Sequence, residues 1–207
     1  MLIHRRNLIR GSALLAGAAL LPGLGLAAVD LTKLLTPPAI GEMSLGPADA
    51  KVTIVEYASA SCPHCANFYK TTFQDLKKTY VDTGKVRFIF REFPHNDPAL
   101  AAFMIARCAP KEKYFPLIDM FFEQQDTWLQ NPKDGLFKIA QLAGFTSETF
   151  EACLKNAEIA KGIMAVRDAA TNDFGVDGIP TFFVNGEMLT GETSIDAFKK
   201  IIDPLLG

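Results

Sequence analysis

The amino-acid sequence predicts an α/β protein: a strand–helix–strand unit, then a helical insertion, then a strand–strand–helix unit. Three observations predict it. Val52-Thr53-Ile54-Val55-Glu56-Tyr57 and Lys85-Val86-Arg87-Phe88-Ile89-Phe90 are apolar, β-branched and aromatic runs bounded by turn residues, as buried strands are. Between them Tyr69, Phe73, Leu76 and Tyr80 recur at helical spacing, so the segment closes as a βαβ unit with a parallel strand pair. Near the C-terminus, Asn185-Gly186 follows Thr181-Phe182-Phe183-Val184 directly and marks a two-residue hairpin.

Taken in order, the chain begins with a segment unlike the rest. Met1 to Arg10 carries Arg5, Arg6 and Arg10 and no acid, and Gly11 to Val29 carries no charge. Gly25-Leu26-Ala27 supplies small residues at its end. A basic start, an apolar middle and a small-residue site are the parts of an export signal, so residues 1–27 are expected to be cleaved. Arg5-Arg6-Asn7-Leu8-Ile9-Arg10 partly resembles a twin-arginine motif, with His4 where Ser or Thr is usual. The alternative is an uncleaved membrane anchor, since the uncharged run approaches the roughly 20 residues that span a bilayer. Pro22, Gly23 and Gly25 suit a cleavage region better.

Residues 28–50, with Pro37-Pro38 and Gly46-Pro47, read as an extended arm with one short strand near Gly41–Leu45. The βαβ unit follows, its helix opening at Cys62 and broken by Asp82-Thr83-Gly84. The next helices are marked by Leu100, Phe103, Met104 and Arg107-Cys108, then by Leu117 to Leu129, then by Leu136 to Ala143 before Gly144. A short helix over Thr149 to Asn156 and a long one from Ile159 to Phe174-Gly175 complete the insertion, glycine being the usual residue just past a helix end. Glu187 to Thr190 is the return strand of the hairpin. Thr193 or Ser194 caps a last helix carrying Ile195, Phe198, Ile201 and Ile202.

With 207 residues, 49% apolar and 21% charged, the composition is that of a globular chain with one sizeable core. A net charge of −2 gives no basis for nucleic-acid binding, and loss of residues 1–27 would make it −5.

The chemistry is concentrated in Cys62-Pro63-His64-Cys65, at the strand-to-helix junction. Cys62 falls at the helix N-terminus, where unpaired N–H groups and the helix dipole favour an anion. The thiolate is the reactive form of cysteine, and Cys65 lies one turn on, within reach of a disulfide. A dithiol oxidises others when its own reduced form is unusually stable. A pKa depression of roughly three to four units would favour the Cys62 thiolate by about 4–5.5 kcal/mol. Pro63 presets the first helical angle without wasting an N–H, and His64 can place a donor or a charge beside the sulfur. Glu56, an acid in an otherwise apolar strand, reads either as an exposed strand-end residue or as a buried proton-handling group for Cys65.

Together with Gly178-Ile179-Pro180-Thr181-Phe182-Phe183-Val184-Asn185-Gly186, these residues make the chain resemble the thioredoxin superfamily, and within it the DsbA family of periplasmic thiol oxidases. The resemblance implies a thioredoxin fold in two parts, 28–94 and 166–207, around an inserted all-helical domain, 95–165. It implies that Cys62 is the solvent-facing attacking thiol and Cys65 the buried resolving one. Pro180 is then cis and set against Cys62, and the backbone of Ile179 takes a substrate strand. Glu56 matches the family's buried acid. The implied partners are reduced or unfolded exported polypeptides and a DsbB-like, quinone-linked membrane reoxidant. No cofactor beyond the Cys62–Cys65 disulfide is expected, and a monomer in the periplasm is.

Cys108 and Cys153 read either as two separate buried thiols or as a structural disulfide. Of the three pairings four cysteines allow, only 62–65 with 108–153 leaves the active pair intact. His95 reads as a loop histidine at a domain junction, Phe121, Phe122, Phe182 and Phe183 as core, and Trp128 as core or edge. Three other functions compete, one of them a non-catalytic chaperone or binding module that keeps the fold, against which the intact cysteine pair argues. An isomerase or reductase of this type usually adds a dimerisation domain, for which residues 28–50 are too short. A metal module using Cys62, His64 and Cys65 lacks the second pair a structural zinc site needs.

Overall fold

The computed structural model describes residues 29–207; the expected export signal lies outside them. A five-stranded sheet of order β1-β3-β2-β4-β5 forms the centre. Strands β2 (Val52–Ala58) and β3 (Val86–Glu92) pair in parallel, from Val52 opposite Val86 to Ala58 opposite Glu92. Strand β1 (Met43–Leu45) lies antiparallel on β3, and the hairpin of β4 (Thr181–Val184) and β5 (Glu187–Thr190) lies antiparallel on the other side of β2. Asn185 and Gly186 have φ of 45° and 93°, the positive values a tight hairpin turn of this kind requires.

β2 is central and covered on both faces, so six of its seven residues are buried. Its side chains alternate. Val52, Ile54 and Ala58 join a core with Phe68, Phe73, Phe88, Phe182 and Phe198, whereas Val55 and Tyr57 join a smaller one with Leu34, Val166, Ala170 and Phe174. The same alternation puts Glu56 on the larger face.

A short helix α1 (Leu31–Leu35) stands where an extended arm is expected. Asp30 caps it through a 3.1 Å bond from the Lys33 N–H, and Leu34 anchors it in the smaller core. From Cys62 a helical rod runs over residues 63–81: α2 (Pro63–Phe68), a π-helical stretch at Tyr69–Phe73, α3 (Gln74–Leu76) and a second π-helical stretch at Lys77–Val81.

Six helices follow: α4 (Asp97–Cys108), α5 (Tyr114–Glu123), α6 (Gln125–Trp128), α7 (Pro132–Leu142), α8 (Ser147–Leu154) and α9 (Ala157–Phe174). Asn96 caps α4 by accepting from the Ala99 N–H at 3.0 Å. The stretch Leu117–Leu129, expected to be one helix, is two, because the chain turns at Gln124 (φ −100°, ψ 16°). The turn seats Trp128 in the core, where its indole N–H donates to the Phe121 carbonyl at 2.7 Å. α9 runs unbroken through residue 165, so the expected domain boundary there falls inside a helix that ends at Gly175 (φ 68°). Ser194 caps the final helix α10 (Ile195–Leu206).

Two long-range ties hold the insertion. Cys108 and Cys153 are joined by a disulfide between α4 and α8, 45 residues apart. Closing a loop of that length restricts the unfolded chain by about 4 kcal/mol. In the second tie, Glu92 at the end of β3, fully buried, accepts from Arg107 of α4 at 2.5 and 2.8 Å and from the Tyr114 hydroxyl of α5 at 2.6 Å.

Candidate active site

The end of β2, the start of α2 and the turn before β4 meet at one point. Cys62 is the N-cap of α2 (φ −84°, ψ 122°) and Pro63 its first residue. Across from it the Ile179–Pro180 peptide is cis, and the Ile179 carbonyl lies 3.8 Å from Cys62 Sγ. Cys62 and Cys65 are both free thiols. Cys65 is wholly buried. Cys62, expected to face solvent, is only 6% exposed, with the Ile179 carbonyl against its sulfur.

The two sulfurs are driven apart in acidity. Cys62 is drawn from about 9 to about 6, first by a hydrogen bond from the Cys65 thiol, then, against the opposing effect of its own burial, by the N–H groups of Cys65 and His64 and by the charge of His95. The helix start therefore contributes through two N–H groups, and the partner thiol is the largest single contributor. Burial, reinforced by the Cys62 thiolate, pushes the Cys65 thiol well above the usual range. Glu56 is fully buried, neither carboxylate oxygen has a hydrogen-bond partner, and burial pushes its pKa well above the usual carboxylate range.

Several contacts that fix the site were not anticipated. Gln125, the first residue of α6, donates its amide N–H to the Ala60 carbonyl at 2.8 Å and to the Cys62 carbonyl at 3.0 Å, pinning the turn from the insertion side. His95, expected only as a loop residue, meets the Ser59 hydroxyl at 2.8 Å, and its neighbour Asn96 accepts from Ser61 at 2.8 Å. Glu192, just beyond β5, is 2.5 Å from His64 Nδ1, and its other oxygen accepts from the Asn67 amide. One carboxylate thus ties the β4–β5 hairpin to two successive turns of α2. Its hydrogen bond raises the pKa of the exposed His64, and that bond in turn lowers the pKa of Glu192. Exchanging Glu192 for glutamine removes the charge partner, so the His64 imidazole is expected to titrate at lower pH than in the parent. An NMR titration of the His64 ring checks it, and an unmoved midpoint contradicts it.

A crevice of about 310 Å³ lined by Lys33, Pro38, Ile40, Arg91, Val166 and Phe174 lies on the other face of the sheet and contains neither cysteine. Among the described residues no three His, Cys, Asp or Glu side chains are grouped to hold a metal ion, and no helix is long and apolar enough to cross a membrane.

A helix-capping thiol of lowered pKa, a shielded second thiol and a cis-proline turn on this sheet define a thioredoxin-type dithiol site. Comparison with known proteins agrees. Residues 39–204 match the family model described as Thioredoxin. A Rickettsia bellii relative named "Putative protein-disulfide oxidoreductase" is 38% identical over 165 residues, which is 78% of this chain and 63% of that one. The chain spans about three fifths of the length of the Rickettsia relatives it matches. The crystal structure of Wolbachia pipientis alpha-DsbA1 superposes with a TM-score of 0.77 at 30% identity, covering 84% of this chain and 96% of that one. A structure named protein-disulfide isomerase from Novosphingobium aromaticivorans gives 0.70 at 25% identity, covering 80% and 97%. The chain belongs to the thioredoxin superfamily and, within it, to the DsbA-like family.

Proposed function

We propose that this protein introduces disulfide bonds into exported polypeptides by dithiol–disulfide exchange at Cys62 and Cys65. The observation that carries the reading is the opposed acidity of the two thiols beside the Pro180 turn. A client thiolate attacks Cys62 Sγ of the closed pair, and Cys65 leaves as a thiolate. A second client thiolate then attacks the client sulfur bound to Cys62, forming the client disulfide and releasing Cys62 as a thiolate. The low pKa makes Cys62 a good leaving group. The backbone of Ile179 aligns the client segment, Pro180 keeps its turn against the sulfur, and Pro63 and His64 shape the helix start. Glu56 returns a proton to Cys65. Work in the periplasm as a monomer, and reoxidation by a DsbB-like membrane protein, complete the proposal.

The direction follows from linkage. The Cys62 pKa is depressed on folding, so its contribution to the reduced protein is present at high pH and lost as pH falls through about 6. With about 6 folded and about 9 unfolded, it amounts to roughly 1.4 kcal/mol at pH 7 and about 4 kcal/mol above pH 9. At pH 7 that moves the couple about 30 mV toward oxidising. Reduced protein is expected to show a thiolate ultraviolet absorbance step centred near pH 6 that is absent after Cys62→Ala, and to speed oxidative refolding of a reduced client. A step near the ordinary thiol pKa, with no refolding activity, rejects the oxidase reading. The isomerase reading, favoured by the Novosphingobium structure's name, predicts faster reshuffling of a wrongly paired client than oxidation of a reduced one.

A further inference from the structure

The slot at the active site has two sides. One is the start of α2 with Cys62. The other is the Ile179–Pro180 turn, whose Ile179 carbonyl lies 3.8 Å from Cys62 Sγ. Within the sheet the two sides are fixed by strand pairing, Tyr57 of β2 standing opposite Thr181 of β4. At the surface a second connection joins them. The Gly191 N–H donates to the Pro180 carbonyl at 2.8 Å and so ties the β5–α10 loop to the turn. The next residue, Glu192, reaches across to α2, with one carboxylate oxygen 2.5 Å from His64 Nδ1 and the other accepting from the Asn67 amide. His64 and Asn67 are three residues apart and share a helix face, which lets one carboxylate engage both. Among the described residues, no other side chain of loop 191–194 hydrogen-bonds to α2. Folding stability does not account for the arrangement, because the His64 and Glu192 side chains are 70% and 36% exposed and exposed ion pairs contribute little.

We propose that Glu192 is a positioning residue that holds the Pro180 turn at a fixed separation from the start of α2, so that an extended polypeptide client meets a preformed slot. The inference rests on the exchange activity proposed above. Glu192 touches neither reacting sulfur. In the step it serves, a client thiolate attacks Cys62 Sγ and the 62–65 bond breaks. A second client thiolate then completes the client disulfide, and two electrons have passed from client to pair. The client backbone must lie along Ile179 while its sulfur approaches Cys62 in line. A turn that drifts from the helix loses that alignment, and alignment is a large part of the rate of such a reaction. A small dithiol has no backbone to lay along Ile179, so the clasp matters less to it.

The test follows one turnover of the full chain, started with its pair closed, against excess reduced peptide carrying two cysteines and, separately, against dithiothreitol. Acid quenching and mass analysis give the limiting rate and the half-saturating concentration. Glu192→Ala is expected to raise the half-saturating peptide concentration about three- to fivefold, the scale of an exposed charged contact. The limiting rate should change less, and the ratio of peptide to dithiothreitol oxidation should fall by a similar factor. Asn67→Ala removes one arm of the contact and should act in the same direction to a smaller extent. Added to Glu192→Ala it should change nothing further, because both act through one contact. Glu192→Gln keeps the length and an oxygen for the His64 Nδ1–H, and Asn67 can turn its amide to accept from the new N–H, so the ratio should return close to that of the parent. A parent-like ratio in Glu192→Ala, equal losses for peptide and dithiothreitol, or a glutamine variant as impaired as the alanine one overturns the positioning role while leaving the exchange activity standing. A parent that oxidises neither the peptide nor dithiothreitol overturns the function instead.

Discussion

Replacing Cys65 by alanine is expected to trap clients on the protein. Cys62 of this variant still attacks a client disulfide, but nothing inside the site can release the product, so a one-to-one mixed disulfide accumulates. Turnover should fall at least about a hundredfold, the lower range for a positioned catalytic group. The variant should also show a second effect that simple loss of a thiol does not explain. The Cys65 thiol is the largest single contributor to the low Cys62 pKa, so the Cys62 thiolate step should move upward from about 6. Non-reducing mass analysis of the trapped species and an ultraviolet titration of the free variant read the two effects separately. A variant that turns over normally, or whose Cys62 titration stays put, contradicts this account of the pair.

The largest stability effect is expected at Arg107. Its guanidinium pairs with Glu92, whose side chain has no exposed surface, and also donates to the Gly41 carbonyl at 2.9 Å. Arg107→Met leaves the Glu92 carboxylate inside the protein with only the Tyr114 hydroxyl as partner. Breaking one side of a buried pair costs about 3–5 kcal/mol, which for a chain of this size lowers the melting temperature by roughly 6–20 °C. Most of that loss is the stranded charge, so adding Glu92→Leu to Arg107→Met should recover part of it. Calorimetry of the two variants decides. If the double variant is less stable than the single one, the pair is not the source.

What could be read from the chain alone divides by distance along it. The parallel pair, the hairpin at Asn185-Gly186 and the placement of Cys62 at a helix start depend on neighbours a few residues apart, and periodicity records those. The break at Gln124 did not announce itself, because Leu117 to Leu129 keeps helical spacing across it and the chain turns there to seat Trp128. The π-helical stretches of the rod are silent for the same reason, since aromatic residues at near-helical intervals do not distinguish one hydrogen-bond register from the next. The contacts that complete the site were illegible in principle. Gln125 reaches back 63 residues to Cys62, and Glu192 reaches back 128 to His64. No local pattern marks a glutamine or a loop glutamate as the partner of a residue so far away; only the folded chain brings them together.

Because Cys108 and Cys153 end up bridged, each newly synthesised copy must give up two electrons and two protons before it matures. Its own maturation therefore draws on the reaction proposed for the finished molecule, and an older copy is a ready supplier. A compartment emptied of this protein would assemble its first mature molecules slowly and later ones faster, so recovery after depletion should show a lag followed by acceleration.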